Sequence, residues 1–117
     1  MSDATIWHNP NCSASRNALA LLRERGVEPE IVLYLKNPPD RATLVATIRA
    51  TGQPARALLR EKEKLCSELE LADASASEDA LVDAMLTHPV LINRPVVITA
   101  RGARLGRPLE RVLEILP

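Results

Sequence analysis

The sequence predicts an α/β fold in which a βαβ unit and a ββα unit, together forming a mixed four-stranded sheet, are separated by an all-helical insertion at about residues 40–87. Three observations predict it. Apolar runs rich in β-formers lie near both ends of the chain, a helical period separates the first two of them, and a block of about 45 residues between the two halves carries helical period alone.

Thr5-Ile6-Trp7-His8 reads as a short strand, followed by a helix from Ser13 or Ser15 through Arg25 with Ala18, Leu19, Leu21 and Leu22 inward. Gly26 ends that helix, since glycine accepts the left-handed backbone past a helix C-terminus. Glu30-Ile31-Val32-Leu33-Tyr34-Leu35 is nearly continuous and apolar, the pattern of a strand buried on both faces of a parallel pair. In the insertion, Asp40 caps a helix bearing Leu44, Val45 and Ile48 that ends at Gly52, and Pro54 opens a short helix through Arg60. Another helix runs near Glu63–Leu69, with Leu65, Cys66 and Leu69 on its buried face. Ser77, followed by Glu78 and Asp79, starts a helix with Leu81, Val82, Met85 and Leu86, and His88-Pro89 stops it. Pro95-Val96-Val97-Ile98-Thr99 and Ala103-Arg104-Leu105-Gly106 pair as a hairpin across Ala100-Arg101-Gly102. Pro108 opens a closing helix with Val112, Leu113 and Leu116 on its apolar side. Without the insertion this order is the thioredoxin-type topology, and residues 1–117 are expected to form one domain.

At 117 residues the chain supports one core without metal or disulfide staples. Fifteen acidic residues balance fifteen basic ones, so the global field gives no reason to expect nucleic acid or an anionic membrane as a partner. No apolar run approaches the roughly 18 residues that span a bilayer. With two cysteines and no apolar leader, the chain is expected in a reducing cytoplasm. Twelve of the fifteen basic residues are Arg, whose planar fork suits oxyanions.

Cys12 carries the chemistry. It falls between the first strand pattern and the first helix, where unpaired backbone N–H groups and the positive end of the helix dipole favour thiolate over thiol. Cys66 shares an apolar helix face and reads as a small buried side chain. His8, Cys12, Cys66 and His88 lack the spacing of a structural zinc site, and no bound cofactor is expected.

Five motifs occur in order: His8-Asn9-Pro10-x-Cys12-x-x-Ser15-Arg16, Tyr34-Leu35-x-Asn37-Pro38-Pro39, Arg56-x-Leu58-Leu59-Arg60, His88-Pro89-x-Leu91-Ile92-Asn93-Arg94-Pro95 and Gly106-Arg107-Pro108. Together they resemble the ArsC family, the glutathione/glutaredoxin-linked arsenate reductases of the thioredoxin superfamily. The resemblance implies a nucleophile at Cys12, a thiolate-stabilising role for His8, an arsenate-binding anion site of Arg60, Arg94 and Arg107, and a cis bond at Arg94-Pro95. It also implies glutathione as co-substrate and glutaredoxin as partner of a monomeric protein. Three Arg side chains and the amides after Cys12 are a sufficient donor set for a tetrahedral oxyanion.

An external thiol is required on this reading, because position 15, where a C-x-x-C helix carries its resolving thiol, is Ser15. The phosphatase-like arsenate reductases use a C-x₅-R loop, which needs Arg where this chain has Ala18. Spx-type regulators share the fold and commonly carry a C-x-x-C switch, against which Ser15 and the arginines argue. A thiol-redox or deglutathionylating protein that does not turn over arsenate is the remaining alternative.

Overall fold

A computed structural model of the protein describes residues 3–69, 71 and 76–116. Its contacts divide the chain into two compact units, residues 1–37 with 94–117, and residues 38–93.

The first unit holds the four-stranded sheet. Strand β1 (Ala4–Trp7) is central, parallel to β2 (Glu30–Val32) and antiparallel to β3 (Val96–Thr99). Strand β4 (Gly102–Leu105) follows β3 through a hairpin, giving the order β2-β1-β3-β4. Helix α1 (Ser13–Glu24) makes the right-length crossover between β1 and β2. It ends as anticipated: Gly26 has φ 78°, its N–H reaches the Arg23 carbonyl at 3.0 Å, and the Val27 N–H reaches Leu22 at 2.8 Å. These two bonds satisfy carbonyls that the helix leaves open.

Ile6 pairs with Val97 across β1 and β3, and both bury against Ala18 and Leu22 of α1 and against Val112 and Ile115 near the C-terminus. Each large aliphatic side chain in that cluster contributes about 1.5–3 kcal/mol by leaving water. The closing segment corrects an expectation. Leu109–Ile115 is a 3₁₀ helix, whose three residues per turn align Leu109, Val112 and Ile115 and leave Leu113 39% exposed. An α-helical period places Leu113 inward and omits Ile115, whereas Val112 and Leu116 pack against the cluster as expected. The Thr99 hydroxyl donates to the Ile115 carbonyl at 2.6 Å and fastens the segment to β3.

The second correction concerns β2. It pairs in parallel as expected but stops at Val32, because the chain turns there: Lys36 and Asn37 N–H groups both donate to the Leu33 carbonyl at 2.9 Å. As an edge strand it is not buried on both faces, and Ile31 is 40% exposed.

The unit of residues 38–93 is built from α2 (Arg41–Thr51), α3 (Lys64–Glu68) and α4 (Glu78–Thr87) with short 3₁₀ turns. The sequence-level caps are present: Asp40 accepts from Thr43 N–H at 2.8 Å and Ser77 from Ala80 N–H at 3.1 Å. The expected helix from Pro54 through Arg60 is instead one 3₁₀ turn, Ala55–Leu58. Leu59 is drawn out as an extended residue that bridges Ile92, flanked by bonds from Asn93 N–H to Leu58 (2.7 Å) and Arg60 N–H to Leu91 (2.8 Å). Cys66 is fully buried on α3, but Leu69, past the end of this short helix, is 43% exposed rather than sharing that face. Among the described residues, no helix is long and apolar enough to cross a membrane.

Candidate active site

The connection from β1 to α1 is built from side chains that replace secondary-structure bonds. The His8 N–H donates to the Val32 carbonyl at 2.9 Å and extends the β1–β2 ladder by one residue. Asn9 then closes a turn twice over: its side-chain Oδ1 accepts from Asn11 N–H and its carbonyl accepts from Cys12 N–H, each at 3.0 Å. Cys12 emerges as the N-cap of α1 with extended φ/ψ of −101° and 122°, and its carbonyl receives the first helical bond, from Arg16 N–H at 3.0 Å.

The β3–β4 hairpin brings the other half of the site. Arg94 precedes β3 and Arg107 follows β4, and the Arg94-Pro95 and Arg107-Pro108 bonds are both cis. Gly106 N–H donates to the Pro95 carbonyl at 2.9 Å, and a Cβ on Gly106 would lie 2.9 Å from Pro95 Cγ and 3.3 Å from Val112 Cγ2. Only glycine permits that approach without displacing the proline ring. With the two segments so close, Arg107 Nε donates to the Arg94 carbonyl at 2.7 Å and its Nη2 lies 3.4 Å from Cys12 Sγ. Arg94 keeps Nε and Nη1 out of solvent and directs its guanidinium to the same sulfur.

Two opposed effects act on the Cys12 thiol. Its partial burial, the largest single influence, disfavours the anion; the Ser15 N–H, the Arg94 side chain, the Ala14 N–H and the charge of Arg107 favour it and together prevail, so the pKa is lowered. The sign is that of an acid: the thiolate fraction rises as pH rises through a value below the ordinary one. Alkylation by iodoacetamide should therefore accelerate with pH through an inflection that lies below the ordinary thiol value of about 8.5. Cys66 has its thiol pKa pushed up by burial and by Glu61 and Glu63, and its Sγ donates to the Arg60 carbonyl at 3.2 Å. Peptide mapping of the alkylated protein should show Cys12 labelled first; faster labelling of Cys66 would remove Cys12 as the reactive thiol.

His8 and Ser15 form a separate buried pair. His8 Nδ1 and Ser15 Oγ are 2.6 Å apart, and Ser15 Oγ also accepts from the Asn9 N–H at 3.0 Å. Burial, followed by the charges of Arg16 and Arg23, pushes the imidazole pKa down from its ordinary value, so the ring is neutral at pH 7. Positive charge beside the sulfur thus comes from Arg94 and Arg107. Arg60 belongs to the unit of residues 38–93, where its Nε meets Glu63 Oε1 at 3.0 Å. Among the described residues, no three His, Cys, Asp or Glu side chains gather as metal ligands. Sequence reasoning passed over Asn9 as a turn closer and Arg16, whose Nη1 donates to the Pro10 carbonyl at 2.8 Å. The Asn-Pro-Asn composition was a usable signal for the first; for the second nothing in the sequence pointed across the turn.

A thiol held at a helix N-terminus beside a four-stranded mixed sheet, facing the residue before a cis-proline, defines a thioredoxin-like thiol protein. The chain belongs to the ArsC family, whose family model matches residues 7–115. It is 56% identical over 113 residues to the arsenate reductase of Rhizobium meliloti (strain 1021), covering 97% of this chain and 81% of that protein. It is 52% identical over 117 residues to the arsenate reductase of Escherichia coli (strain K12), covering 100% of this chain and 83% of that protein. In structure it is similar to the arsenate reductase from Vibrio cholerae, with a TM-score of 0.92, 46% identity, and 98% of each chain covered.

Proposed function

We propose that the protein reduces arsenate to arsenite through a Cys12 thiolate, with glutathione and glutaredoxin as reductants. The observation that carries this reading is the Cys12 sulfur at the N-terminus of α1 with Arg94 and Arg107 directed at it. The family relationship supplies the substrate class, an arsenic oxyanion. Metal ions and prosthetic groups have no part in the steps below.

Arsenate binds with its oxygens on Arg94 and Arg107 and on the N–H groups that open α1. Arg60 as a third donor rests on the resemblance alone. The thiolate attacks arsenic, an arsenic–oxygen bond breaks, and the departing oxygen takes up protons and leaves as water, giving a Cys12 S–As(V) ester. A glutathione thiolate then attacks the Cys12 sulfur. The S–As bonding pair stays on arsenic, which becomes As(III) and leaves as arsenite, while the two sulfurs are oxidised to a Cys12–glutathione disulfide. Glutaredoxin attacks the glutathione sulfur and returns Cys12 as thiolate. The His8–Ser15 pair holds the turn beside the nucleophile, and Ser15 leaves Cys12 without a neighbouring thiol, which is why an outside one is needed. The setting proposed is a monomer in a reducing cytoplasm.

The test is arsenite formation from arsenate by the purified protein with glutathione and glutaredoxin, run beside a glutathione mixed-disulfide substrate and with each reductant omitted in turn. Turnover that requires both supports the reading. Reduction of the mixed disulfide with no arsenite formed replaces it with a deglutathionylating one.

A further inference from the structure

Arg16 breaks a local rule. It follows the N-cap by four residues, in the first turns of α1, where the helix dipole favours acidic side chains, and the first turn carries none. Its own backbone N–H completes the first helical bond to Cys12, while its guanidinium reaches back over the turn to the Pro10 carbonyl at 2.8 Å. Arg16 thus grips the nucleophile's loop on both sides, through the carbonyl of Cys12 and through that of the residue two before it. Local preference overridden beside a reactive group is the pattern of a residue retained for its place in the site.

We propose that Arg16 is a positioning residue for Cys12: its tether to Pro10 holds the Asn9–Cys12 turn so that the sulfur stays over the N–H groups opening α1. The proposal rests on Cys12 being the nucleophile. The groups around that sulfur are Arg94 and Arg107 from the ends of the β3–β4 hairpin and the Ala14 and Ser15 N–H groups from α1. Arg16 acts on the sulfur by geometry, through the bond of its guanidinium to the Pro10 carbonyl. When the tether is cut, Cys12 samples positions away from those N–H groups and is less often a thiolate in place.

The experiment compares Arg16→Met, which keeps an apolar stem and has no donor, with Arg16→Lys, whose ammonium supplies the single donor a carbonyl needs. Melting temperature and the pH profile of iodoacetamide alkylation at Cys12 are read at low and at high ionic strength. Arg16→Met is expected to melt near the wild type, to shift the alkylation inflection upward at both ionic strengths, and to lower kcat for arsenate by about fivefold, the loss of one exposed hydrogen bond, with KM unchanged. Arg16→Lys is expected to restore most of both. A wild-type alkylation profile in Arg16→Met, or a shift abolished by high salt as a bare charge effect would be, overturns the proposal. So does a raised arsenate KM with unaltered kcat, which would put Arg16 on the substrate. If wild-type protein forms no arsenite, the function assigned above fails, and the alkylation profiles still decide the role of Arg16.

Discussion

Cys12→Ser should reduce arsenite formation to the level seen without protein, while the variant keeps the wild-type fold. Two losses coincide in this variant. A serine hydroxyl is almost wholly protonated at neutral pH even beside Arg94 and Arg107, so the attacking anion is lost. The second is redox balance: the electron pair that reduces arsenic is released as two sulfurs join, and a serine ester offers no sulfur for glutathione to attack. The fold should survive because Cys12 lies outside the buried cluster, and serine at the N-cap of α1 is itself a favoured helix-capping residue. Circular dichroism and melting curves of the variant, taken beside the arsenite assay, separate a dead site from an unfolded chain. Residual turnover above background in a folded Cys12→Ser protein would move the nucleophile to Cys66.

Arg94→Ala and Arg107→Ala should each lower kcat/KM for arsenate more than tenfold. Each removes a charge-assisted donor, a loss of about 1.5–3 kcal/mol in transition-state stabilisation. The two are not equivalent in their surroundings. Arg107 is exposed and spans from the Arg94 carbonyl to Cys12 Sγ, so its removal frees the hairpin end as well as a donor. Arg94 is partly shielded and acts on the sulfur itself, so Arg94→Ala should also raise the inflection of Cys12 alkylation. Lysine should rescue neither variant well, since a point charge cannot reproduce the planar fork, which at Arg107 reaches the Arg94 carbonyl and Cys12 at once. Steady-state kinetics with arsenate varied give the result, and unchanged kcat/KM in both alanine variants would place the oxyanion elsewhere.

What could be read from the sequence follows from the range of the interactions involved. Asp40, Ser77 and Gly26 act on residues within a turn of themselves, and each does in the structure what its identity implies. The extent of β2 was misread because Leu33, Tyr34 and Leu35 have the composition of a buried strand, whereas the chain bends at Leu33 and only Tyr34 is enclosed. At Leu109–Ile115 the periods of 3.0 and 3.6 barely separate over seven residues, so the inward side chains were partly misassigned. Leu59 left its expected helix because its partner, Ile92, is far along the chain.

The site shows the same division. Cys12 was legible because a cysteine between a strand pattern and a helix pattern has its field set by the adjacent backbone. Arg94 and Arg107 could be singled out only through the ordered motifs. Their meeting at Cys12 depends on the hairpin and on the contact of Gly106 with Pro95, neither of which leaves a periodic trace. The His8–Ser15 pair was hidden for a related reason: polar side chains enclosed between a strand end and a helix start look, in sequence, like ordinary loop residues.

The most direct test of a Cys12 thiolate that needs an outside thiol is peptide mass spectrometry of the protein incubated with arsenate and glutathione in the absence of glutaredoxin. One glutathione should accumulate on the Cys12 peptide in step with arsenite release, Cys66 should remain free, and glutaredoxin should remove the adduct. A Cys12–Cys66 disulfide as the dominant oxidised species, or glutathione on Cys66 with Cys12 unmodified, would contradict the account.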